Sequence, residues 1–230
     1  MAASWMGWLL GAALGMRHAL EPDHLAAVST MVAQHKNPRA GVLLGALWGL
    51  GHSLGLLALG GVLALLQRGL PDVLANALEL GVAVMLCVLG VRAVQQAARE
   101  ARQGDVQVHQ HGGAAHAHPS AGPHLHVANW TLLRRPLMVG LMHGLAGSGA
   151  LVALVLAQLP STGERILYMG LFGLGSIMGM AAITGVAGLG LSRLVARRRF
   201  SHALLTASGL LSVGVGLAWG VECVSRLAGV

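Results

Sequence analysis

Aromatic side chains make up only 3% of this 230-residue sequence, and charged ones only 10%. Soluble domains carry about 25% charged residues, so the charge here is too sparse to cover a water-facing surface. Length alone would allow one or two soluble domains, and composition excludes them. Cysteine is scarce too. Cys87 and Cys223 both sit in apolar runs, which excludes a disulfide framework and leaves them as small buried hydrophobes. There is no Walker A loop, so any use of ATP would need another subunit. There is no His-Glu-x-x-His, which argues against a zinc metalloprotease. The chain is instead rich in apolar residues (55%) and glycines (34), with a mean hydropathy of +0.68. These are the marks of an integral membrane protein whose helices approach over small residues.

Roughly 20 apolar residues cross a bilayer core. That rule predicts six spans, at about 4–33, 40–67, 73–95, 137–158, 166–191 and 203–225. The expected fold is therefore an all-α polytopic membrane protein with about six transmembrane helices. The first apolar stretch has no basic region ahead of it and contains polar residues. It reads as a retained helix and not as a cleaved signal peptide.

The formal charge of +7 invites a nucleic-acid reading, but arginines at helix ends act as topology determinants, and no nucleic-acid partner is expected. Loops one, three and five hold Lys36 and Arg39; Arg92, Arg99, Arg102, Arg134 and Arg135; and Arg193, Arg197, Arg198 and Arg199. The other side has only Arg68, Arg165 and Arg226, and Arg17 lies within the first span. Both termini are thus expected outside the cytoplasm of an inner-membrane protein, with the long third loop inside.

The two halves resemble each other. Leu47-Trp48-Gly49-Leu50-Gly51 matches Leu171-Phe172-Gly173-Leu174-Gly175, and Gly55 and Gly179 follow four residues later. Upstream, Gly15-Met16-Arg17-His18-Ala19-Leu20 lines up with Gly140-Leu141-Met142-His143-Gly144-Leu145. A repeat of three spans reverses orientation. The expected organisation is a first three-helix repeat at 1–98, a loop at 99–135 and a second, inverted repeat at 136–230, with the site at their interface.

The chemistry concentrates in Gly15-Met16-Arg17-His18-Ala19-Leu20-Glu21-Pro22-Asp23-His24-Leu25. Ionisable groups at membrane depth are costly and mark pathways or sites. Two imidazoles and a carboxylate suit a borderline divalent ion such as nickel or cobalt. On a regular helix His18 and His24 would stand roughly 120° and about 9 Å apart, so one ion could not take both. Unwinding at Pro22 would bring them together, and the proline is expected to free the carbonyl of His18. Glu21 could ligate the ion, neutralise Arg17 or carry a proton. The plainer alternative for this cluster is a helix end meeting water and headgroups.

His52, mid-span in Gly51-His52-Ser53, and His143, at the place of His18 in the second half, are further ligand or gate candidates. Either could also be a packing histidine. Ser53 and Ser148 are secondary candidates, since a membrane hydroxyl commonly bonds a carbonyl of its own helix. Six histidines, His109, His111, His116, His118, His124 and His126, crowd the third loop among Gly, Ala, Pro and Ser spacers. The loop is expected to be disordered and to act as a low-specificity metal trap or sensor rather than a merely soluble linker.

Arg17-His18-Ala19 with Asp23-His24 resembles the signature of the nickel/cobalt transporter family, and Gly51-His52-Ser53 resembles that family's second motif. His143-Gly144-Leu145-Ala146-Gly147-Ser148 resembles its short branch, which includes urease accessory membrane proteins and nickel/cobalt efflux proteins. The resemblance implies a secondary carrier for Ni²⁺ or Co²⁺ with no prosthetic group and no enzymatic activity. His18, Asp23 and His24 would form the primary site, completed or gated by His52 and His143. It also implies nickel-enzyme maturation proteins as partners. Import is the favoured direction, and efflux through the same site is the alternative.

Two other classes compete. Ala146-Gly147-Ser148-Gly149 superficially resembles an intramembrane serine protease motif. The only later histidine is His202, in a basic loop, and that reading leaves His18, Asp23 and His24 without a role. A membrane metal chaperone or sensor would bind stoichiometrically and move nothing.

Overall fold

The computed structural model describes residues 2–34, 38–66, 70–102, 106–111, 114–119, 130–146, 159, 161–194 and 198–228. Among them the helices are α1 (Ala2–His18), α2 (Pro22–Gln34), α3 (Pro38–Leu66), α4 (Asp72–Arg102), α5 (Trp130–Ala146), α6 (Thr162–Leu194) and α7 (Arg198–Ala228). Two strands, β1 (Val106–His111) and β2 (Ala114–Pro119), lie between α4 and α5.

Local sequence explains several of the helix starts. Pro22 and Pro38 open α2 and α3, where a missing N–H costs nothing and the fixed φ is already helical. Ser161 and Glu164 form a capping box ahead of α6. The Glu164 amide donates to Ser161 Oγ (3.2 Å), and the Ser161 amide donates to Glu164 Oε2 (3.4 Å).

Four of the helices contain stretches long and apolar enough to cross a membrane: Ala40–Leu63, Asp72–Arg102, Thr162–Leu189 and His202–Ala228. The protein is a helical membrane protein. The expected first span is broken near Pro22, as its proline implies, into the shorter pair α1 and α2. The expected fourth span begins in α5, and its remainder, from 147, lies outside the described residues.

The break between α1 and α2 comes earlier than Pro22. Leu20 N–H donates to the Arg17 carbonyl (2.9 Å) and Glu21 N–H to the His18 carbonyl (3.0 Å), closing two tight turns before Pro22 begins α2. This corrects one expectation. The His18 carbonyl is not freed by the proline, because the Glu21 amide has moved into the place of the missing donor.

Polar groups lie inside and large apolar ones outside. Leu9, Val73, Val186 and Val221 are among the exposed side chains, whereas Asp23, His24, His52, His143, Ser176, Thr184 and Ser212 are buried. Water would not tolerate that arrangement, but lipid requires it. The main apolar core gathers Trp48, Leu86, Met180, Val82 and the alanines Ala19, Ala26 and Ala27. Cys223 is buried, Cys87 is half-buried, and both are free thiols.

The most extensive helix contacts are α3 with α6, α4 with α7, α3 with α5 and α1 with α6. In all four pairs a glycine of one helix lies against the backbone of the other, most closely in α1 with α6 and α3 with α5. A Cβ on Gly15 would overlap the Phe172 carbonyl, and one on Gly175 the Ala12 carbonyl. In the same way a Cβ on Gly140 would overlap the Trp48 carbonyl, and one on Gly51 the Leu137 carbonyl. Serine hydroxyls then bridge neighbouring helices. Ser176 Oγ donates to the Gly15 carbonyl (3.3 Å) and Ser212 Oγ to the Leu86 carbonyl (2.9 Å).

The histidine-rich loop departs from the disorder expected of it. Residues 106–111 and 114–119 form an antiparallel pair in which His109 lies opposite His116 and Gln107 opposite His118. Alternating Val, Gln and His with small spacers satisfies the period of two that a strand needs, despite the low apolar content. His124 and His126 lie outside the described residues.

Candidate metal centre

The turn at Ala19–Glu21 achieves what a straight helix could not. His18 ends α1 and His24 sits in the first turn of α2, and their ring centroids are 4.4 Å apart. His52 approaches from α3, with its ring 5.0 Å from His18 and 5.3 Å from His24. His143 approaches from α5, 5.0 Å from His24. The backbone contacts at Gly51 and Gly140 hold α3 and α5 near enough for both rings to reach the same place.

All four rings and the Asp23 carboxylate are buried, with relative exposures of 0 to 5%. Asp23 Oδ1 lies 2.9 Å from His24 Nδ1, an approach between adjacent residues that is not aligned as a hydrogen bond. Asp23 Oδ2 lies 3.6 Å from His143 Nε2. His143 Nδ1 donates to the Val139 carbonyl (3.3 Å), since a carbonyl can only accept. That bond fixes the tautomer and leaves the lone pair of Nε2 facing Asp23.

Glu21 does not join the buried group. It is 43% exposed, and its Oε1 stands 2.8 Å from His18 Nδ1. A carboxylate on one imidazole nitrogen orients the ring and leaves the other nitrogen for a metal, the usual arrangement around metal-binding histidines. Arg17 is exposed on the last turn of α1.

Buried polar atoms ordinarily have hydrogen-bond partners. Among the described residues, the buried side-chain nitrogens and oxygens that lack one are concentrated here: His18 Nε2, both Asp23 oxygens, both nitrogens of His24 and of His52, and His143 Nε2. Leaving such atoms unmade is expensive, and a divalent cation is the chemistry that would satisfy imidazole lone pairs and a carboxylate together. Two groups have donor atoms within 4.8 Å of one another: His18, His24 and His52; and Asp23, His24 and His143.

Ser53 is turned to the backbone. Its Oγ lies 2.8 Å from the Gly49 carbonyl and 2.9 Å from the Gly173 carbonyl, so its hydroxyl joins α3 to α6. Ser148 lies outside the described residues, and the histidine hairpin is a separate element.

Sequence reasoning missed the walls of this centre. The Trp48 indole lies 5.4 Å from His24 and 5.6 Å from His143, and the Phe172 ring lies 5.4 Å from His18. The available signal was that these two occupy the same position in the repeated Leu-aromatic-Gly-Leu-Gly motif.

Comparison with known proteins finds a relative in Bacillus sp. (strain TB-90), the urease accessory protein UreH. It is 30% identical over 208 residues, covering 90% of this chain and 87% of the relative. No family model and no solved structure matches.

Proposed function

The chain belongs to the family of the urease accessory protein UreH, and on that premise we propose that it carries Ni²⁺ or Co²⁺ across the inner membrane. The observation that carries this reading is the convergence of His18, Asp23, His24, His52 and His143 from four helices, with His18 Nε2, both Asp23 oxygens, both nitrogens of His24 and of His52 and His143 Nε2 buried without a hydrogen-bond partner. Neutral imidazoles replace the waters of a divalent ion, and Asp23 offsets its charge. The protein is a carrier on this reading, not an enzyme, and the ion is its cargo. The receiving partners are nickel-enzyme maturation proteins.

The carrier works as two halves, 1–98 and 136–230, of three spans each and inverted relative to one another. The paired glycine contacts support this. Gly15 on Phe172 and Gly175 on Ala12 in one helix pair correspond, position for position in the repeat, to Gly140 on Trp48 and Gly51 on Leu137 in the other. Rocking of such halves about a shared mid-membrane site exposes it to each side in turn. The arginine distribution puts both termini outside and the hairpin inside, where it collects imported metal.

The test is metal flux into proteoliposomes of known protein orientation, with Ni²⁺, Co²⁺ and Zn²⁺. Flux in the wild type that is lost in His24→Ala supports a carrier, and its dependence on the direction of an imposed gradient gives import or export. Stoichiometric binding with no flux sinks the carrier and leaves a chaperone or sensor.

A further inference from the structure

We propose that the ion is held at two alternative positions that share His24, one formed by His18, His24 and His52 and the other by Asp23, His24 and His143, and that passage between them is a step of transport. The inference rests on the carrier reading above.

The geometry argues against one site of five ligands. Nitrogen and oxygen ligands bind such ions at about 2.1 Å, so two ligands of one ion are no more than roughly 4 Å apart. Among the described residues, only the two triads have donors within 4.8 Å of one another, and the five do not form one such group. The donors of each triad are already close to that limit, and those of all five together are not. His24 is the sole residue in both groups, and both of its nitrogens are buried without a hydrogen-bond partner.

The two positions differ in chemistry. The first has three neutral imidazoles, and next to it stands Glu21, which is partly exposed and lies against His18. The second includes a carboxylate, and its histidine is fixed from behind by the Val139 carbonyl. The first position is therefore the weaker electrostatic trap, and the second carries the charge. His18 and His143 also occupy corresponding positions of the two sequence halves, so each half contributes its own histidine to one triad. A rocking motion that favours one half's histidine over the other's would pass the ion through His24 without releasing it to water.

Co²⁺ reports its ligands through its visible absorption, so purified protein is titrated with Co²⁺ while flux is measured in parallel. His52→Ala should still bind one Co²⁺ through Asp23, His24 and His143. His143→Ala should bind one through His18, His24 and His52, with a different spectrum because no carboxylate is present. Both should lose flux, and His24→Ala should lose binding altogether. If either single variant loses binding while the wild type retains it, or if both give the wild-type spectrum, the two-position inference is overturned and the carrier reading stands. A wild type that binds neither Co²⁺ nor Ni²⁺ overturns the carrier reading itself. If an alanine variant does not fold, His52→Asn and His143→Asn make the same test, since the amide fills part of the space of the ring.

Discussion

Asp23 Oδ2 on α2 and His143 Nε2 on α5 stand 3.6 Å apart, a meeting of residues 120 positions distant in sequence at one buried carboxylate. The pairing sets what each loss would do. Asp23→Asn keeps the shape and removes the charge. Losing one partner of a buried charged pair costs roughly 3 kcal/mol, so Ni²⁺ affinity should fall on the order of 100-fold. Equilibrium dialysis of the detergent-solubilised variant checks this, with circular dichroism to show that the helices persist. Unchanged affinity would mean that the carboxylate does not face the ion.

On the carrier reading Glu21, which lies against His18 Nδ1, would act on the ion through that ring and not by touching it. Substitutions of such supporting carboxylates typically cost about 10–100-fold in metal affinity, so Glu21→Gln should raise the half-saturating metal concentration by that order. Maximal flux should change much less, and Glu21→Asp should recover part of the loss. A variant whose maximal flux collapses at unchanged half-saturation would make Glu21 part of the conducting path instead.

The break between α1 and α2 was legible in the sequence because Pro22 and two histidines six residues apart make no sense on a straight helix. Its position was not legible. The Glu21 amide, by bonding to the His18 carbonyl, sets the turn upstream of the proline, and no residue type in the sequence marks that bond. The histidine hairpin was missed for a different reason. Its composition argues for disorder, while its alternation of polar and small residues also matches strand pairing, and the sequence alone does not rank the two. Trp48 and Phe172 stood in plain view as repeat positions, but which rings they would face depends on contacts across 24 and 95 residues for Trp48 and 154 for Phe172.

Close helix approach gives a stability prediction. A side chain at Gly140 meets the Trp48 backbone, so Gly140→Val should cost about 1–3 kcal/mol and lower the melting temperature in detergent. Gly163→Ala and Gly170→Ala, where a Cβ meets nothing within 4 Å, should leave it nearly unchanged. Equal effects at all three positions would refute backbone contact between α3 and α5.

Deleting residues 109–126 should lower the number of metal ions bound per chain, as counted by dialysis against Ni²⁺, and leave measurable flux. A deletion silent for binding would remove the metal-trap role of the loop. A deletion that abolishes flux would make the loop part of the transport path.

The turn at Ala19–Glu21 also sets two opposed helix ends at the candidate centre. The last carbonyls of α1 give its end near His18 a partial negative charge, and the first amides of α2 give its end near Asp23 a partial positive one, each about half an elementary charge. A cation between them meets the electronegative end of one helix directly. Meanwhile the other helix end steadies the carboxylate, so that the backbone itself polarises the passage along one axis. An unbroken helix of the same residues would place no helix end at that depth.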